Sequence, residues 1–280
     1  LLQNLGDLTA VHGRGEMDPG PGLTCRGEAG LQRKSGHQGP QVAAANSTEV
    51  RGEQLARQVE AILAATGADK VNLIGHSHGG PTVRYVASVY PDYVASATAV
   101  AGPHTGARMA DVLLGLQEAL PLTGNVIGNI VNAATGFLDL ISGGGYGQDS
   151  LAALYSLSTP GSTEFNSHYP EGLPEDACGH APEVADNGVR YYSWSGAKPL
   201  TNVLDISDAG MGLLALLYLG EKNDGLVSSC SSHLGLVIRD DYRMNHLDEV
   251  NQIAGLVSPF ETNPTAVFRQ HANRLKNRGL

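Results

Sequence analysis

Cationic side chains are scarce: 18 Lys plus Arg stand against 28 Asp plus Glu in 280 residues, for a formal net charge of −10. A chain this acidic lacks the basic face that nucleic-acid binding requires. That class of partner is excluded, and the balance suits a secreted or metal-binding protein. Long apolar runs are also missing. No stretch reaches the roughly 20 residues with which a helix crosses a bilayer, so no transmembrane segment is expected. The chain opens at Leu1 with neither an initiator methionine nor a charged-then-apolar leader, which reads as a signal already removed or as a fragment. Cysteine is limited to three residues, an odd count. Cys178 in Pro174-Glu-Asp-Ala-Cys-Gly and Cys230 in Val227-Ser-Ser-Cys-Ser-Ser have polar surroundings suited to a surface disulfide, with two free thiols as the alternative. Bridged, they stabilise by about 4 kcal/mol in chain-entropy terms, and Cys25 is left over. A chain of this length fits one sizeable domain with an ample core, which does not require a staple to fold.

Aromatic residues are absent from residues 1–45, which hold nine glycines, three prolines and four Lys plus Arg. No apolar run there is long enough for a buried central strand, so composition assigns the segment to loop or disorder. Composition shifts near Asn46, and a misread stretch of glycine-rich coding sequence is the other account of residues 1–45.

From Asn46 onward the chain is rich in pattern. Asn46 with Glu49 three residues on resembles a capping box, Leu55, Val59, Ile62 and Leu63 form a helical stripe, and Gly67 closes it. Val71 to Ile74 is a short apolar run of strand type. It leads straight into Gly75-His-Ser77-His-Gly79, and Pro81 to Tyr90 then puts Val83, Val86, Ala87 and Tyr90 on one helical face. With 36 glycines in the chain the bare Gly-x-Ser-x-Gly pattern is weak, and the flanks carry the signal. Strand, glycine-bounded serine and helix make a nucleophile elbow, in which the serine hydroxyl stands exposed at the carboxyl end of a sheet. A further strand near Ala97 to Ala101 completes a βαβ rhythm, and Val189 to Ser195 alternates as a strand does. The expected fold is α/β, a mostly parallel central sheet flanked by helices.

Two apolar stretches are ambiguous. Leu120, Val126, Ile127, Ile130, Val131, Phe137, Leu138, Leu140 and Ile141 lie in a segment with almost no charge, with a hinge-like Gly143-Gly-Gly-Tyr-Gly after it. Such a segment is core, or a cover over a lipophilic site; periodicity does not decide. Met211 to Leu219 poses the same question.

A serine hydroxyl needs a general base within hydrogen-bond reach, and the base needs a carboxylate that holds its tautomer. His233, His246 and His271 are the candidate bases downstream. His271 lies in the charged tail Arg269 to Arg274 and reads as solvated. His246, in the polar Tyr242-Arg-Met-Asn-His-Leu-Asp, is the favoured base. Asp205, Asp208, Asp224, Asp240 and Asp241 are the candidate acids. Asp224, in the turn Lys222-Asn-Asp-Gly-Leu-Val227, is favoured, although an aspartate before glycine is often only a turn former.

From about Asn46 to Leu280 the sequence resembles the secreted true lipases of Pseudomonas, triacylglycerol hydrolases of the α/β-hydrolase fold. The matching motifs are Ser47-Thr-Glu-Val-Arg-Gly-Glu-Gln-Leu55, Val71 to Pro81, Asn223-Asp-Gly-Leu-Val227, Cys230-Ser-Ser-His-Leu-Gly235 and Arg243-Met-Asn-His-Leu-Asp-Glu-Val-Asn-Gln252. The resemblance implies a triad of Ser77, Asp224 and His246. It implies a structural Ca²⁺ held by Asp205, Asp248 and the carbonyls of Gln252 and Leu256, and a Cys178–Cys230 disulfide. It makes the apolar segment at about 119–146 a helical lid over the acyl pocket. It also implies a lipid ester substrate at an oil–water interface, extracellular secretion and a dedicated foldase chaperone.

The amino terminus departs from the family pattern, in which an apolar strand runs into His-Gly-Met-Leu-Gly and supplies one oxyanion-hole N–H. Here His12-Gly13-Arg14-Gly15 keeps the His-Gly pair without the expected strand or aromatic-rich sequel, leaving Arg14 as the candidate for that donor and His78 as the other. Two alternatives to a lipase are a short-chain esterase or acyltransferase, and a catalytically impaired protein that binds lipid surfaces.

Overall fold

A computed structural model describes residues 8–12, 16–18, 24–26, 36–115, 149–176, 178–251 and 255–280. Helix α1 (Thr48–Thr66) opens on Ser47, whose hydroxyl accepts from the Val50 N–H, and closes on Gly67 at φ 68°. The expected cap, Asn46, stands one residue outside and accepts from the Ser47 N–H instead. Leu55 and Val59 of the expected stripe are buried, and Ile62 and Leu63 pack part-buried on the same core. Each fully buried aliphatic side chain contributes about 1.5–3 kcal/mol, enough to orient the helix on the sheet.

The sheet has eight strands among the described residues: β1 (Leu8–His12), β2 (Glu16–Asp18), β3 (Thr24–Arg26), β4 (Gly36–Gln38), β5 (Val71–His76), β6 (Val94–Val100), β7 (Arg190–Gly196) and β8 (Leu236–Tyr242). Their order is β2-β3-β4-β1-β5-β6-β7-β8. Strands β5 to β8 run parallel, and this half carries the site. β5 and β6 join through α2 (Gly79–Val89). Leu73, Ala97, Ala99 and Tyr191 face a core shared with α1 and α2, while Ile74, Val100 and Trp194 face Val267 of α7 (Pro264–Asn277). The alternation of side chains across each strand therefore feeds two cores, one per face.

The stretch expected as a strand at Val189 to Ser195 is β7, and Tyr191 through Gly196 are all buried. Its edges are paired with β6 and β8, and its two faces are covered separately, Tyr191 by the core shared with α1 and α2 and Trp194 by α7, which is why a polar-looking sequence lies inside. Composition reads residues 1–45 as loop or disorder lacking the strand before His12-Gly13, yet β1 to β4 lie there. β1 pairs antiparallel with β5, Leu8 opposite Gly75 and Val11 opposite Asn72. The open edge of β5 offers backbone donors and acceptors that any non-proline residue satisfies, so pairing does not need the apolar run that composition lacks.

The expected lid lies outside the described residues. The described chain resumes in α4 (Ser150–Leu157) and α5 (Thr159–His168), after α3 (Arg108–Leu113). The second ambiguous stretch is core: α6 (Asp208–Leu214) and the turn after it bury Met211, Leu214, Leu217 and Tyr218 against Leu226, Val227 and Leu247. No described helix is long and apolar enough to cross a membrane.

Candidate active site

The elbow is built by close approach. At Ser77 the backbone has φ 55°, left-handed and costly for a residue with a side chain. A Cβ at Gly75 would stand 2.1 Å from the Gly79 carbonyl oxygen, and one at Gly80 would stand 2.8 Å from Gly102 Cα. Only glycine fits either position. The Ser77 N–H donates to the Val100 carbonyl at 2.9 Å, tying the turn to β6. Ser77 is half-buried while its neighbours from Val71 to Val86 are buried, so the serine is the point at which the elbow meets solvent.

Five acids and three histidines were open in the sequence, and two pairs are brought together, His246 with Asp224 and His233 with Asp240, of which only the first is joined to the elbow through His76. His246 Nδ1 lies 2.7 Å from Asp224 Oδ2, and both side chains are fully buried. The His246 N–H also donates to the Asp224 carbonyl at 3.0 Å. Asp224 Oδ1 accepts from the Leu226 and Val227 N–H groups at 2.9 and 2.8 Å. The carboxylate is thus held by its own turn and aimed at one imidazole nitrogen. The other candidates go elsewhere: His233 meets Asp240 and the Gly179 carbonyl, and Asp241 meets Arg239. His271, expected in solvent, is buried, with Nε2 2.9 Å from Thr98 Oγ1. Its helix presents it to the sheet, and burial, with Arg274 beside it, pushes its imidazole down to about 3.

Around this pair lies a layer that the sequence did not single out. His76, immediately before the nucleophile, donates from Nε2 to the His246 carbonyl at 3.0 Å, and the two rings lie 4.5 Å apart between centroids. Elbow and histidine loop are thereby joined. Glu249 Oε2 stands 3.5 Å from His76 Nε2, and Glu249 Oε1 accepts from the Gly196 N–H. Burial, then the Asp224 charge, pushes the Glu249 carboxyl well above its usual range; burial, then His246, holds the His76 imidazole well below its own.

The His78 backbone is equally fixed. The Thr82 hydroxyl donates to the His78 carbonyl at 2.8 Å and accepts from Arg51 Nε at 3.2 Å. The His78 ring meets Thr48 Oγ1 at 2.9 Å. Arg51 is buried and donates from Nη1 to the Ala43 and Ala44 carbonyls. Burial lowers it to about 10, so it remains charged at neutral pH. Arg14, the other expected oxyanion donor, lies outside the described residues. Because β1 runs antiparallel to β5, its His12 end lies toward the Val71 end of β5, away from Ser77.

Near the histidine loop, Asp205 Oδ2 and Asp248 Oδ1 are buried with no hydrogen-bond partner among the described residues. Asp248 is raised to about 6, by burial first and also by the charges of Asp205 and Asp208. Orphaned carboxylate oxygens in mutual repulsion are what a hard divalent cation satisfies, so these residues fit Ca²⁺. Gln252 lies outside the described residues, while Leu256 is within them. The Cys178–Cys230 disulfide is formed, with Cα atoms 4.3 Å apart. Ser231, next to it, accepts from the Thr105 N–H and donates to the Gly106 carbonyl, holding the loop after β6.

A parallel sheet whose strand-to-helix elbow holds a strained serine beside a histidine–carboxylate pair defines an α/β hydrolase of the serine ester hydrolase class. A family model described as the alpha/beta hydrolase fold matches residues 32–161. A triacylglycerol lipase of Vibrio cholerae is 57% identical over 241 residues, covering 86% of this chain and 77% of the relative. Another, from Pseudomonas fragi, is 40% identical over 251 residues, covering 86% and 85%. The chain belongs to this family of bacterial triacylglycerol lipases. Among solved structures, the mature form of a Bacillus licheniformis lipase aligns with a TM-score of 0.54 at 18% identity, covering 82% of this chain and 75% of that one, a likeness of fold.

Proposed function

We propose that the protein is a secreted lipase that hydrolyses triacylglycerols by acyl-enzyme chemistry at Ser77. The observation that carries this reading is the fully buried His246–Asp224 hydrogen bond of 2.7 Å beside the strained elbow. With Nδ1 committed to Asp224, His246 uses Nε2 to take the Ser77 proton as Oγ attacks the ester carbonyl carbon. Asp224 stabilises the imidazolium that forms. The His78 N–H donates to the oxyanion, from a backbone held by Thr82. The carbon–oxygen bond to the glyceride breaks, and His246 returns the proton to the leaving alkoxide. Water then gives a proton to His246 and attacks the acyl carbonyl, releasing the fatty acid and restoring Ser77.

Asp205, Asp248 and the carbonyls of Gln252 and Leu256 are the residues that would hold Ca²⁺. A bound ion would neutralise the buried carboxylates and brace the loop two residues after His246. The catalytic domain is taken as residues 46–280 with a lid at about 119–146, and residues 1–45 as an atypical segment, either misread or genuine, which N-terminal sequencing decides: peptides matching residues 1–45 as written exclude a misreading. Secretion assisted by a foldase chaperone rests on the family likeness.

The test compares short- and long-chain p-nitrophenyl esters with the wild type and Ser77→Ala. Long-chain turnover that falls by on the order of 10⁶-fold in the variant supports the reading. Turnover confined to short esters makes the protein an esterase, and equal rates in both proteins remove Ser77 from the chemistry.

A further inference from the structure

Between β7 and α6 the chain makes a tight protruding turn, Leu200-Thr-Asn-Val-Leu-Asp-Ile-Ser207. Val203, Leu204 and Ile206 are 101%, 72% and 88% exposed, and the only charged residue of the turn, Asp205, is buried. Ordinary surface loops have the opposite arrangement, with charge outward and aliphatic side chains inward. The arrangement is also rigid. Asp208 Oδ2 accepts from the Thr201 and Asn202 N–H groups at 2.6 and 2.8 Å, and Asp205 Oδ1 accepts from the Ser207 N–H and hydroxyl at 2.7 and 2.6 Å. Asn202 Nδ2 donates to the Val257 carbonyl at 3.1 Å, fastening the tip to the segment after the histidine loop. The turn therefore holds three aliphatic side chains in water at little further cost in conformational entropy.

Its base shares a framework with the catalytic histidine. Asn245, the residue before His246, donates from Nδ2 to Asp208 Oδ1 at 2.8 Å, and Met211 and Leu214 of α6 lie in one apolar cluster with Leu247. An object that accepts the tip is thus brought to the side of the molecule that carries His246. No Lys or Arg lies between Leu200 and Gly220, and the whole chain is acidic. An anionic membrane is repelled by such a protein, whereas an uncharged lipid surface is not.

We propose that Val203, Leu204 and Ile206 form a fixed anchor that inserts into a neutral lipid surface and seats the catalytic face on it, separately from the lid. This deepens, and rests on, the lipase reading.

Adsorption is measured in the Ser77→Ala background, so that the surface is not consumed, by flotation with triolein droplets coated in phosphatidylcholine. Val203→Ser/Leu204→Ser/Ile206→Ser is expected to weaken flotation by on the order of 10²-fold. With Ser77 restored, the triple variant should keep the wild-type rate on p-nitrophenyl butyrate in free solution. Ile206→Trp gives a direct readout: its emission shifts to the blue when droplets are added, against Trp194, which is already buried. Equal flotation of parent and triple variant overturns the proposal, as does an Ile206→Trp spectrum that droplets leave unchanged. So does adsorption that requires anionic lipid and fades with salt, or a dimer that the triple variant abolishes. Failure of the lipase reading shows separately, as a wild type that floats with the droplets but releases no fatty acid.

Discussion

Ser77 occupies a left-handed backbone conformation only because three chain segments leave no alternative. Gly75 lies against Gly79, Gly80 lies against Gly102, and the Ser77 N–H is bonded to β6. The strain is sustained by packing, so the sensitive positions are glycines and not the serine itself. Gly75→Ala puts a methyl where a carbonyl oxygen stands 2.1 Å away. We expect a loss of about 2–4 kcal/mol in urea unfolding, with esterase activity falling further than stability because the elbow must shift. A second residue-scale consequence concerns His271. Arg274 Nη1 donates to its Nδ1, so Nε2 carries the proton and donates to Thr98. The ring is neutral, its value of about 3 lying below the unfolded value of 6.5. The unfolded chain therefore binds the extra proton first. The stabilisation is fully present above about pH 6.5 and is lost as pH falls toward 3. From pH 7 to pH 5 this amounts to about 2 kcal/mol. His271→Gln should remove that part of the acid sensitivity, read as a smaller drop in the urea midpoint between the two pH values; an identical drop in both proteins refutes the assignment.

Elements were legible where their residues announce a period or a stop. Leu55 and Val59 are spaced for one helical face, Gly67 ends that helix, and Val71 to Ile74 needs two apolar surroundings. The elbow was legible because three signals coincide: strand, small residues and helix. Strand β7 was legible as a strand from its alternation, but not its full burial, because Tyr192, Ser193 and Ser195 carry no sign of what covers each face. His271 was misjudged because the charges near it in sequence suggest solvent, whereas its own side chain faces the sheet and Arg274 reaches over to donate to its Nδ1. The pairing of His246 with Asp224 was narrowed but not fixed by order along the chain. A turn aspartate is ordinary until its partner arrives from 22 residues away. His76 and Glu249 gave no distinguishing sign, since their roles arise from two loops meeting. β1 escaped notice for a different reason: what it contributes is backbone pairing with β5, to which composition is nearly blind.

At the scale of the whole molecule, the part after β7 is where acidic groups concentrate inside. Asp205, Asp208, Asp224, Asp248 and Glu249 are all buried there. Asp224 and Asp208 are satisfied by N–H donors and His246, whereas Asp205 Oδ2 and Asp248 Oδ1 have no partner among the described residues, and on the proposed calcium reading a cation would satisfy them. EDTA should therefore lower the melting temperature by several degrees and reduce activity in parallel, with both restored by excess Ca²⁺. Asp205→Ala should melt lower from the start and respond little to EDTA. An unchanged wild-type melt under chelation removes Ca²⁺ from the account.

The antiparallel contact of β1 with β5 has a meaning beyond catalysis. The strand that ends in the elbow is buried along its whole length, and β1 covers its outer row of hydrogen-bonding groups. Uncovered, that row is a six-residue template without a formal charge, on which another chain can add. The amino-terminal strands act in this sense as a guard against polymerisation. Deleting residues 1–38 should give a protein whose light scattering grows with time and concentration faster than that of the full chain, before any change in the chemistry of Ser77 is felt.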